Sequence, residues 1–231
     1  TLVSCNESLN EFKLSTTGKV VRVLVVSKEM ALKIYKIKIN EKRHFIFSDA
    51  LVLENGKNIQ LLSDRNNFDI SIYPKTAIIP KIAFGSLTKL DDAGIFSSYK
   101  ISLPLAEIKV ESKQISERKW ALDLPNSLPK HINDAYLTIK YTGDTAMGFI
   151  DGELVTDEFY KGIPWQIGLR KFLTGKPKEM VFYYRLMQKN ASYLIDLQPY
   201  PESIPDFGNK KEFLSVNDFS INVQYTTDLS F

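Results

Sequence analysis

Short runs in which apolar and polar residues alternate, each closed by a turn signal, constrain this chain more than any other feature. Leu137, Ile139 and Tyr141 alternate with Thr138 and Lys140, and Phe68, Ile70 and Ile72 alternate with Asp69 and Ser71. Ile221, Val223 and Tyr225 repeat the pattern near the end, and Tyr193, Ile195 and Leu197 predict one more strand before Pro199-Tyr200-Pro201. A two-residue period puts one strand face in a core and the other in water. Asn55-Gly56 joins two such runs, and Asp151-Gly152 joins two more. Both dipeptides adopt the positive φ values that tight hairpins demand. Many short strands with turns between them predict an all-β sandwich or jelly roll.

The first third departs from this rhythm. Residues 20–26 (VVRVLVV) are β-branched and nearly continuous, which predicts a buried strand. Ser27 is a good N-cap, and the helix formers Lys28 to Lys33 predict one short helix after it, with Met30 and Leu32 in the core. Pro74 and Pro80 favour extended chain and mark the domain boundary. The expected organisation is a small β-rich unit with one helix over 1–78, then a jelly-roll β-sandwich over 79–231.

Scarce residues exclude whole chemistries. One cysteine, Cys5, rules out an intrachain disulfide and a thiolate metal cage. Two histidines, His44 and His131, rule out a three-histidine zinc site, and both read as surface residues. No G-x-S-x-G, G-x-G-x-x-G or P-loop is present. Thirty Lys and Arg stand against 27 Asp and Glu, a balance that gives no argument for nucleic acid or a membrane surface. No apolar run approaches the roughly 20 residues of a membrane span. Thr1 is not an initiator methionine, so the chain reads as processed or cut from something longer. Leu2-Val3-Ser4-Cys5 fits the short pattern before a bacterial lipoprotein cysteine, yet no basic or apolar signal segment precedes it.

One segment carries a resemblance. Tyr141-Thr142-Gly143-Asp144 is followed by the Asp151-Gly152 hairpin, by Asp157-Glu158-Phe159-Tyr160, and by Gly162-Ile163-Pro164-Trp165-Gln166-Ile167-Gly168-Leu169-Arg170-Lys171-Phe172. In that order, over about 32 residues, these elements resemble the C-terminal β-sandwich region of bacterial glycoside hydrolase family 35 proteins, the β-galactosidase family. Leu24 to Leu32 and Phe47-Ser48-Asp49-Ala50 are similar to a stretch further upstream in those proteins. The resemblance implies a galactose-binding-like jelly roll in an extracytoplasmic protein. It also implies an accessory role, because the family's chemistry resides in a (β/α)₈ barrel of roughly 300 residues, for which this chain has neither pattern nor room. No residue is assigned a catalytic role. The expected partner is a carbohydrate or an adjacent catalytic domain. The alternatives are a free-standing carbohydrate-binding protein and a glycosidase in its own right, which would need two carboxyl groups placed across a sugar cleft.

Five residues are candidates for glycan contact: Trp165, Asp144, Asp157, Tyr160 and Arg170. Trp165 offers a flat ring for stacking on a pyranose, against the plainer reading of a Trp that plugs the sandwich. Pro164, Trp165, Ile167, Leu169 and Phe172 favour the plainer reading, being too apolar for a solvated loop. Asp144 can hydrogen-bond sugar hydroxyls or ligate calcium, or it can cap a turn. Asp157 and Tyr160 can edge a shallow polar cleft, with Arg170 expected close to Asp157 or Asp144. Trp120 reads as a strand residue.

Overall fold

A computed structural model describes residues 10–91, 94–197 and 203–231. Cys5 and its lipoprotein reading, and the Pro199-Tyr200-Pro201 stretch, lie outside the described residues. The chain divides into two compact units, residues 1–104 with 227–231, and residues 105–226. Pro74 and Pro80 fall inside the first unit.

The first unit opens on a hairpin of β1 (Asn10–Thr16) and β2 (Lys19–Val25). The expected strand forms, but Val20 and Val21 are exposed and Val23 to Val25 only half-buried: the hairpin is a two-stranded sheet of its own, and among the described residues no second layer covers Val20 and Val21. The cap at Ser27 is as expected, its Oγ accepting from the Met30 N–H at 3.2 Å over the single-turn α1 (Lys28–Ala31). Met30 and Leu32 are exposed rather than core, because one turn is too short to bury a face. Five further strands follow, β3 (Ile34–Ile39), β4 (Lys42–Ser48), β5 (Leu51–Asn55), β6 (Asn58–Ser63) and β7 (Asn67–Tyr73). After them come β8 (Lys81–Ile82), β9 (Ser86–Lys89) and β10 (Ser97–Ser102). The sheet β3-β4-β7-β10-β9 buries Ile37, Ile46, Ile70, Ile72 and Ile101. His44 on β4 is buried, with Nδ1 3.1 Å from the Lys42 carbonyl, not on the surface as expected.

The second unit is the sandwich. Its strands are β11 (Ser112–Ser116), β12 (Lys119–Leu124), β13 (Ile132–Thr142), β14 (Thr145–Ile150) and β15 (Glu153–Phe159). Then follow β16 (Trp165–Gly168), β17 (Lys178–Tyr184), the short pair β18 (Met187–Gln188) and β19 (Glu212–Phe213), and β20 (Ser215–Ser230). One face has the order β11-β12-β17-β14-β15, and the other is formed in this unit by β16-β13-β20. β11-β12 and β14-β15 are hairpins of consecutive strands, whereas β17 lands between β12 and β14, and β13 between β16 and β20, beside strands separated from them in sequence. The last residues of β20 belong to the first unit, where Leu229 pairs with Ile82.

Alternation built this core. Leu137, Ile139 and Tyr141 from β13, Trp165 and Ile167 from β16, and Met180, Phe182 and Tyr184 from β17 meet in one cluster between the two faces. At the Asp151-Gly152 turn both residues take positive φ, 52° and 84°, as a two-residue hairpin requires. Residues 193–197 are not a strand. Ser192–Leu197 is a 3₁₀ turn, whose three-residue period puts Leu194 and Leu197 against a small cluster with Met187 and Phe207 and leaves Ile195 outside.

Candidate functional site

The end of the sandwich where β13 turns into β14 gathers the most chemistry. Thr145 and Phe159 are cross-strand partners, so Asp144 and Tyr160 are the next residues out on each side, joined by the Tyr160 N–H donating to the Asp144 carbonyl at 2.9 Å. The Asp144 N–H in turn donates to the Arg185 carbonyl at 2.9 Å. The loop beyond Tyr160 is pinned from outside the strands: the Tyr160 hydroxyl donates to the Ser203 carbonyl at 2.9 Å. Gly162 sits at φ 84°, a conformation that suits glycine, with the Ser203 side chain where a Cβ would be.

Between these elements and the 3₁₀ turn lies a cleft of about 630 Å³. Asp144 and Tyr193 supply its polar groups, while Tyr160, Leu197, Phe159 and Ile163 supply its apolar wall. Phe159 is 75% exposed and Ile163 55% exposed, so two apolar side chains stand open at the rim. The Asp144 carboxylate is largely buried, with Arg185 Nε 3.8 Å away. Tyr193 has its hydroxyl buried beside that carboxylate. Burial first, and then the Asp144 charge, push its phenol above the ordinary value. Glu158 holds Lys161 at 2.6 Å, which keeps that ammonium at the edge of the cleft. Beneath the floor Tyr141 is buried, and its phenol is pushed far up, first by burial and then by the Glu158 charge.

Of the five expected residues, Asp144 and Tyr160 meet here. Trp165 does not. It is 4% exposed and packs edge-on against Tyr141 and Phe182, with ring centroids 6.5 and 5.6 Å apart, so no ring face is open for stacking. Ile167 and Leu169 are buried with it. Asp157 pairs with Met147 on β15 and is exposed, outside the cleft lining. Arg170 lies far from Asp144 and Asp157. Its Nη2 donates to the Ile132 carbonyl at 2.9 Å, its Nε to the Asn133 carbonyl, and its backbone N–H to Asp134 at 2.9 Å. Those partners stand at the start of the 11-residue β13 and Asp144 just past its end, about 30 Å away at strand rise. The antiparallel return of β16 carries Arg170 to the opposite end of the sandwich.

Phe159 and Ile163 belong to the stretch that carries the resemblance and Lys161 lies between them, but no local pattern in the sequence marks them as a rim. Tyr193 had no signal, since a 3₁₀ turn far along the chain brings it back. Among the described residues no group of three or more metal-ligating side chains gathers, and the Asp144 carboxylate is paired with Arg185. The first unit has a cleft of about 720 Å³ as well, of mixed charge, where Lys33 lies 2.6 Å from Asp49 and holds its carboxyl below the ordinary range. No protein-family model matches the chain, and no curated protein matches it.

Proposed function

We propose that this chain is a non-catalytic accessory region of a carbohydrate-active, glycoside hydrolase-like protein, and that the cleft at Asp144 binds a glycan. The observation that carries the reading is the open Phe159 ring beside a largely buried carboxylate. A pyranose has one apolar face and a rim of hydroxyls. Phe159 offers the apolar face a ring, and Asp144 accepts hydrogen bonds from the hydroxyls. The segment that supplies Asp144, Phe159 and Tyr160 is also the one that resembles the family 35 accessory region. With that reading goes an extracytoplasmic location and a catalytic domain as neighbour.

A glycan array followed by titration of the best binder tests it. Phe159→Ala and Asp144→Asn each weaken binding by about tenfold, the loss of one stacking contact or one charged hydrogen bond, with melting temperature held. Binding indifferent to both changes overturns the cleft assignment. Hydrolysis of a galactoside by the purified chain, lost on changing one carboxylate, overturns the accessory reading.

A further inference from the structure

We infer that the second unit carries another ligand site, a cleft of about 800 Å³ around Trp120 that takes an acidic glycan, a sugar chain with a carboxylate on each unit. The inference rests on the reading above only in taking carbohydrate as the ligand class; the residues are different.

Trp120 was expected to be an ordinary strand residue. It packs against the sandwich core on one side, edge-on to Tyr184 with centroids 5.3 Å apart, yet it is only partly buried and lines the cleft on the other side. Gln114 stands directly across from it on the edge strand β11, whose residues are all exposed. The register shifts between Gln114 and Ser116, an irregularity of the kind that re-aims side chains at sheet edges. The facing wall is the β18–β19 pair, where the Gln188 Nε2 donates to Glu212 at 2.8 Å. That bond fixes the Gln188 amide against one Glu212 oxygen and leaves the carboxylate its charge.

Lys210 and Lys211 precede Glu212 and line the same cleft. Both are exposed, and among the described residues neither ammonium has a carboxylate partner. A half-buried indole, two amides and two exposed ammonium groups fit a uronate chain: the ring packs on a sugar face, the amides reach hydroxyls, and the ammoniums pair with carboxylates. Glu117 and Glu212 share the cleft and oppose a densely charged ligand, which favours one carboxylate per sugar over a polysulfate.

The test titrates polygalacturonate and a neutral galactan against the full chain, beside a Lys210→Gln/Lys211→Gln double variant and Phe159→Ala. Both lysines are surface residues, so a melting curve checks that the double variant folds. We expect polygalacturonate binding to fall tenfold or more in the double variant, on the order of one to two charged hydrogen bonds. We also expect it to weaken with added salt and to be unmoved by Phe159→Ala. No polygalacturonate binding by the unmodified chain, or binding that survives loss of both lysines, overturns the inference. Galactan binding that responds to Phe159→Ala alone supports the Asp144 cleft without this one. Polygalacturonate binding with no neutral glycan bound supports this cleft and counts against the other.

Discussion

Two aromatic residues in the same core cluster answer opposite questions. Trp165 fills space between Tyr141 and Phe182. Trp165→Ala removes an entire buried ring, and the denaturation midpoint is expected to report a loss of about 3–5 kcal/mol. A midpoint within error of the parent means the ring is not packed as described. Tyr184 is fully buried as well, but its hydroxyl has no hydrogen-bond partner among the described residues. An unsatisfied buried hydroxyl is a cost that the ring's burial offsets. Tyr184→Phe keeps the ring and deletes the cost, so stability is expected to hold or rise. A clear loss of stability reveals a partner for that hydroxyl.

Glycines at positive φ separate two effects in the turns. Gly152 and Gly162 share φ 84°, but a Cβ at Gly152 meets nothing within 4 Å, whereas one at Gly162 meets the Ser203 Cβ at 2.7 Å. Gly152→Ala therefore costs backbone strain alone, about 1–2 kcal/mol. Gly162→Ala adds a displacement of Ser203, the residue whose carbonyl holds Tyr160. We expect the larger loss at Gly162, together with weaker glycan binding at the Asp144 cleft. Equal losses in paired thermal melts, with binding unchanged, refute the role of Ser203 as the loop's anchor. The Asp151-Gly152 hairpin was legible because its chemistry is local. The 3₁₀ turn at Ser192–Leu197 was not, because Tyr193, Ile195 and Leu197 alternate in sequence while the residues that bury Leu194 and Leu197 come from β18 and from Phe207.

Buried phenols tie the stability of the sandwich to alkaline pH. Tyr141 and Tyr184 both have phenols pushed well above the ordinary 10.0, chiefly by burial. Unfolding returns them to the ordinary value. Below about pH 10 both states hold these protons and stability is flat; above it the unfolded state releases them while the folded state keeps them. Stability is therefore expected to fall as pH rises past 10. Tyr184→Phe removes one of the two groups and flattens that decline. Unfolding midpoints measured across the alkaline range for parent and variant decide it, and superimposable slopes contradict the burial of Tyr184.

What the sequence determined by itself is local. A period of two, Asn-Gly and Asp-Gly dipeptides and a Ser before helix formers act over a few residues, and they specify strands, hairpins and the cap at Ser27. The apolar content of 162–172 likewise forced Trp165, Ile167 and Leu169 inward. Tertiary structure decided which strand lies beside which, and with it the sites. The return of β16 along β13 separated Arg170 from Asp144, two residues expected to lie close in space. The fold of the chain after β17 brought Tyr193 to Asp144. The exposure of Val20 and Val21 was decided there too: a β-branched run specifies a strand, but burial needs a second layer, and no local preference supplies one.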